Sequence, residues 1–266
     1  LKIRPGLAKR WEFSADKKTF TLELRDNLKF HDGTVLDAEA VKASLLHFKA
    51  AGRSQDLDLV TSVEAPDATH VVIRLSKPFS PLTAILADRA GMVISPTAQK
   101  AAGAGFDLKP VGAGPFKLKT WTPGSRIEVE RFTDYWDKDR IKLNGITYRI
   151  IQNQPSLVSA MLTGQVDYAF GLDPKNMAVL KARPGIRTAI EPSLGFTMIG
   201  TNVDDVLLRR AISMSVDRVA LRDAVIGKNA GDGATSVPVP PTAAFLKSAD
   251  FAAAVKYDPA TARQLL

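Results

Sequence analysis

Cysteine is absent from the chain, so it can build no disulfide framework, no cysteine-ligated zinc site and no thiol nucleophile. Histidine is scarce. His31, His47 and His70 are the only three, no two of them stand at a metal-ligand spacing, and HExxH does not occur. GxSxG is missing as well, which removes the nucleophile elbow of a hydrolase. No run approaches the roughly 18 to 20 consecutive apolar residues of a membrane span; "MVISP" and "ITYRII" are only strand-sized. Nor is there an arginine-rich stretch, although the formal net charge is +8. The basic residues are scattered and mixed with acidic ones, as in "RIEVERFTDYWDKDR", so no nucleic-acid partner is expected. These gaps leave no catalytic residue, no metal and no cofactor to expect.

What is present is the composition of a globular protein with a real core: 45% hydrophobic and 24% charged over 266 residues, enough for one large domain or two ordinary ones. "TFTLEL" alternates Phe20, Leu22 and Leu24 against polar residues, which predicts a half-buried strand. Asp37 caps a predicted helix to about Ala50, with Val41, Leu45 and Phe48 on one face. A hairpin follows, "LVTSVEA" and "HVVIRL", turning at "PDAT". Ser80-Pro81 and Ser95-Pro96 each place a hydroxyl before a proline, the signature of a helix start, and "MVIS" between them reads as a short strand. "GPFKLKTW" and "RIEVERF" form a second predicted hairpin around "TPGS". "ITYRIIQ", the helix "PSLVSAMLTG" stopped by Gly164, "VDYAFG", a helix near 175–182, "IRTAIE" and "LGFTMIGT" continue a strand and helix alternation, the mark of mixed α/β. "DDVLLRRAISMSVDRVALRDAVIG" predicts one long helix ending at Gly227, and the Gly/Pro-rich stretch 231–242 a loop.

"FHDGTVLDAEAVKASL" sets His31 beside Asp32. A catalytic dyad needs a nucleophile or a third orienting group; Asp and Gly together favour a tight reversal, and Asp37 and Glu39 suit a helix N-terminus. The expectation is a turn and a cap. "VGAGPF" contains GxG, but a strand follows it, so there are no helix N-terminal amides to cradle a phosphate. The chain begins without methionine or a signal-peptide pattern. Its last predicted helix, opening at Asp258-Pro259, is too short to stand alone. An internal piece of a longer protein is therefore expected.

Taken in order, "GLAKRWEFSADKKTFTLELRDNLKFHDGTVLDAEAVKASL", "VGAGPFKLKTWTPGSRIEVERFTDYWD", "LNGITYRIIQN", "MLTGQVDYA", "LLRRAISMSVDRVAL" and "YDPATARQLL" resemble the family 5 solute-binding proteins of ABC importers, the dipeptide, oligopeptide and nickel binders. The resemblance implies an α/β fold of the periplasmic binding protein-like class II, with mixed sheets and flanking helices. It also implies that this stretch is a fragment of a two-lobed protein about twice as long. Residues 1–110 would be the extra α/β subdomain of the first lobe, 111–200 its central part, and 201–266 the hinge crossing and the truncated start of the second lobe. Two departures stand near that crossing: Gly200 where the family has asparagine, with Asn202 following, and a shortened stretch to Arg209.

Such a protein captures a peptide or peptide-like solute by lobe closure and hands it to an inner-membrane ABC permease. It would act as a periplasmic monomer whose targeting signal lies outside this stretch. The alternative is a hydrolase of peptides or sugars on a similar scaffold. For ligand contact the sequence nominates Phe196, Thr197 and Met198, on the strand toward the crossing, and Arg89 in "DRAG".

Overall fold

Every second residue of "TFTLEL" turns inward as the alternation requires, with Phe20 and Leu24 almost wholly buried. The computed structural model describes residues 3–51, 55–189, 200–225, 227 and 255–266. The chain divides into two compact units, Leu1–Ile150 and Ile151–Leu266.

The first unit holds two antiparallel sheets. One has the order β1-β2-β4-β3, from β1 (Ala8–Phe13), β2 (Thr19–Leu24), β3 (Val60–Glu64) and β4 (His70–Leu75). Helix α1 (Ala38–Ala50) packs against β3 and β4. Asp37 caps it by accepting from the Ala40 amide at 2.9 Å, and Val41 and Leu45 point into the core with Phe20, Phe30, Val71 and Ile73. Fully burying one such side chain contributes about 1.5–3 kcal/mol. Two short helices follow, α2 (Leu82–Leu86) and α3 (Pro96–Ala102), with a 3-10 turn at Arg89–Gly91 between them; α3 and that turn pack against α1. Gly91 is needed there: a β-carbon on it would meet the Leu86 carbonyl oxygen at 1.8 Å. The other sheet, β5-β6-β7, comprises Phe116–Thr122, Arg126–Arg131 and Gly145–Arg149. Trp121, Ile127 and Tyr148 stand in register across it on one face.

The second unit is helical among its described residues: α4 (Gln154–Leu162), α5 (Met177–Lys181), α6 (Val206–Ser215), α7 (Arg218–Val225) and α8 (Pro259–Gln264). Asn153 caps α4 through the Ser156 amide at 2.8 Å, and Gly164 leaves the helix at φ +71°. Helix α8 packs on α6, and Asp258 caps it with Pro259 in the first turn, as predicted.

Several expectations are corrected. The predicted long helix is two helices. Val216 is extended, and the Asp217 carboxylate accepts from the Val219 and Ala220 amides at 3.1 and 2.9 Å, a cap that restarts the helix where apolar periodicity would have run on. Asp205 caps the first of the two, its carboxylate accepting from the Leu207 and Leu208 amides at 2.7 and 3.0 Å. "MVIS" forms only an isolated bridge, Ile94 to Gly112. Helix α2 starts after Pro81 with no side-chain cap, so Ser80 does not serve as one. "VDYAFG" is neither strand nor helix; no described strand lies beside it to supply a ladder. The described part of "IRTAIE", 186–189, is likewise not a strand. The rest of it, "LGFTMI" and the loop 231–242 lie outside the described residues.

Candidate functional site

His31 and Asp32 sit in a tight reversal whose corner is Gly33, at φ +84°, with the Phe30 amide donating to the Thr34 carbonyl at 2.9 Å. Asp32 is spent on structure. One carboxylate oxygen accepts from the Thr34 amide and hydroxyl, and the other from the Ser95 hydroxyl at 2.6 Å. Partial burial works to raise its pKa, but the Ser95 and Thr34 hydrogen bonds together hold it below the usual aspartate range. Ser95 is wholly buried and also caps α3 through the Ala98 amide at 3.1 Å. The His31 ring is similarly occupied: Nε2 bonds the Gly114 carbonyl at 3.0 Å and Nδ1 the Gly112 amide at 3.3 Å. Burial pushes its pKa down, helped by Lys117 and opposed by the Gly114 bond and Asp32. Among the described residues no hydroxyl is held by the ring as a nucleophile would be. The turn-and-cap expectation matches this geometry.

Among the described residues no group of three or more His, Cys, Asp or Glu could hold a metal. Asp67 and His70 pair at 2.9 Å, but the carboxylate also caps its own turn. The Thr69 amide, and then the His70 ring, hold Asp67 far below the aspartate range. This is an Asx turn closing the β3–β4 hairpin.

An apolar cavity of about 320 Å³ lies in the first unit between the β1–β2 face, α1 and α2. Trp11, Leu22, Val41, Leu86 and Val93 line it, and Arg4 is the one cation in its wall. Arg89 is exposed on the 3-10 turn beside it and is not part of that wall. Phe196, Thr197 and Met198 lie outside the described residues.

In the second unit, one feature was not singled out in the sequence. The stretch after α4 presents Tyr168 and Phe170 at 81% and 86% exposure, far more open than aromatic side chains of that size usually stand. The loop that carries them is pinned. The Gln154 side-chain amide donates to the Gly171 carbonyl at 3.0 Å and accepts from the Asp173 amide at 3.1 Å and the Asn176 side chain at 3.4 Å. Gly171, at φ +74°, turns the chain back toward that amide. The readable signal was two aromatics at i and i+2 immediately before a "GLDP" turn. Chemically the loop offers π-faces, one phenolic hydroxyl and apolar contact area.

The sequence profile described as "Bacterial extracellular solute-binding proteins, family 5 Middle" matches residues 2–266. A curated relative, the glutathione-binding protein GsiB of Escherichia coli O1:K1, is 33% identical over 278 residues, covering 100% of this chain and 53% of the relative. Of solved structures, AgaA of A. tumefaciens R10 with agropinic acid superposes with a TM-score of 0.84 at 28% identity. That match covers 100% of this chain and 55% of AgaA. NikZ of Campylobacter jejuni with Ni(L-His) also gives 0.84, at 24% identity, covering 98% of this chain and 53% of that one, which establishes likeness of fold alone. The chain thus spans about half the length of the curated relatives it matches. The hydrolase alternative finds no support in these comparisons, whose relatives are named for what they bind.

Proposed function

The chain belongs to the bacterial extracellular solute-binding proteins of family 5, and from that premise we propose that the whole protein captures a peptide or peptide-like solute for an ABC importer. The observation that carries this reading is the family match, unbroken from residue 2 to residue 266. Residues 1–110 are the extra subdomain of the first lobe, 111–200 its central part, and 201–266 the crossing into the second lobe. The mechanism is capture and closure. A solute that touches both lobes only when they are shut binds that state better, and shifts the population toward it. An inner-membrane permease then receives solute from the closed form of a periplasmic monomer. No bond is made or broken.

Tyr168 and Phe170, displayed on the loop clamped by Gln154, supply apolar contact to the solute. Arg89 supplies charge, and Phe196, Thr197 and Met198 the strand that the backbone of an extended ligand lies along. Tripeptide-like solutes of the glutathione class are the first to test, since the relative at 33% identity is named for glutathione.

The test is native mass spectrometry of the full-length protein, followed by release of its ligand and titration with glutathione, short peptides, agropinic acid and Ni(L-His). The expected result is one solute per chain, recovered with its mass unchanged, from the peptide-like set. Recovery of a cleaved product, or no binding to any of the four, refutes the proposal.

A further inference from the structure

We propose that His31 is a proton-sensitive clip: its neutral ring fastens the Gly112 amide in the segment Val111–Pro115, and protonation lets that amide go. The segment is the stretch of chain between the 3-10 turn Gly103–Leu108 and β5. His31 grips it at alternate residues. Its backbone amide donates to the Gly112 carbonyl at 2.8 Å, the Gly112 amide meets Nδ1 at 3.3 Å, and Nε2 meets the Gly114 carbonyl at 3.0 Å.

The partners decide the tautomer. A backbone amide can only donate and a carbonyl can only accept, so Nδ1 carries a bare lone pair and Nε2 the proton. The ring is therefore complete when neutral. Adding a proton at Nδ1 sets N–H against N–H at Gly112, removing one bond and leaving a half-buried donor without an acceptor.

The surroundings bear on the same equilibrium. The charged groups facing the ring are Asp32, within the same turn, and Lys117 on β5. Phe132, just after β6, meets the ring edge-on with centroids 5.0 Å apart and offers no charge. Burial and Lys117 disfavour the cation, while Asp32 and the Gly114 bond favour it, and the balance lies below the ordinary histidine value of 6.5. The folded chain thus binds fewer protons here than the unfolded one. Stability that is present above pH 6.5 falls as pH drops through that value toward the folded one.

Loosening is confined by other ties between the same regions. Lys29 pairs with Asp134 at 3.0 Å, and the Arg25 guanidinium lies 3.9 Å over the Trp136 ring. Neither tie passes through the imidazole, and the Ser95 amide on the Val111 carbonyl and the Phe132 amide on the Pro115 carbonyl, each at 2.9 Å, hold the two ends of the segment, so acid frees the Gly112 amide without parting the two sheets.

The test uses the full chain with ¹⁵N-labelled histidine. At pH 8 the His31 nitrogens should show the Nε2–H tautomer, with a titration midpoint below 6.5. Exchange of the Gly112 amide, corrected for its intrinsic pH dependence, should rise about tenfold across that midpoint, the equivalent of one lost hydrogen bond. His31→Gln keeps one acceptor and one donor at the spacing of the two ring nitrogens but does not titrate, so its Gly112 exchange should stay flat. An Nδ1–H tautomer, a midpoint at or above 6.5, or an equal rise in His31→Gln overturns the proposal. The first two readings come from the unmodified chain and decide the matter even if the variant fails to fold.

Discussion

Replacing Ser95 by alanine tests how one buried hydroxyl holds two elements together. Its oxygen accepts from the Ala98 amide as the N-cap of α3 and donates to Asp32 at 2.6 Å. Losing a serine cap costs about 1 kcal/mol. Losing a hydrogen bond to a charged partner costs roughly 1.5–3 kcal/mol where both groups are buried. Asp32 is exposed and can take up water in exchange, so we count about 1 kcal/mol for that bond. The total is about 2 kcal/mol. Urea unfolding followed by tryptophan fluorescence reads it cleanly, because Trp11, Trp121 and Trp136 all lie within Leu1–Ile150. A double-mutant cycle with Asp32→Ala should give a coupling of about 1 kcal/mol. If Ser95→Ala costs under about 0.5 kcal/mol, or the two losses merely add, the network is not a structural tie.

Gly91→Ala drives a methyl into the Leu86 carbonyl, and should lower the urea-derived stability of the same unit by about 2 kcal/mol or more; an unchanged midpoint would contradict the packing at that turn. Asp67 is held far below the aspartate range by the Thr69 amide and the His70 ring, and Asp16, Glu23 and Glu64 are lowered by Ser14, Lys9 and Arg74 in turn. Each stabilises the fold above its ordinary value of 3.8 or 4.5 and ceases to as pH falls through the folded one. Melting temperature should therefore drop below about pH 4, and Asp67→Asn should lower the melting temperature at pH 5–7 and flatten that acid limb, since the contribution it removes is the one acid would have removed. On the solute side, Phe170→Ala in the full-length protein removes on the order of 80 Å² of apolar contact, about 2 kcal/mol or roughly 30-fold in Kd, without altering the melting temperature. Tyr168→Ala should behave alike, and an unchanged Kd in both variants would remove the aromatic loop from the binding surface.

Most of the first unit could be read from the sequence because its signals are local. Strict alternation in "TFTLEL", the Asp37 cap and the "TPGS" turn each specify backbone geometry within a few residues, and the structure follows them. The elements that departed are those settled by competition. In "SMSVDRVAL" apolar spacing continues a helix, but Asp217 offers two amides a carboxylate at the same point, and the cap prevails. "MVIS" has strand composition and yet makes one bridge, because the Ser44 hydroxyl takes the Ile94 amide at 3.1 Å and the Ser95 amide goes to Val111.

The candidate site is harder to read for a related reason. A ligand-facing aromatic and a core aromatic are the same letter, and periodicity tells which residues share a face, not what covers that face. Tyr168 and Phe170 have the spacing of a strand but stand exposed on a loop that Gln154 holds just beyond them by hydrogen bonds to Gly171 and Asp173. That clamp joins residues 17 and 19 positions apart. It leaves no local signature, since a glutamine at the head of a helix ordinarily faces water. Gln154→Ala should therefore weaken solute binding about as much as Phe170→Ala, although both aromatic side chains are retained and only the loop that positions them is released. If Kd is unmoved in that variant alone, the rings contact solute without needing the clamp.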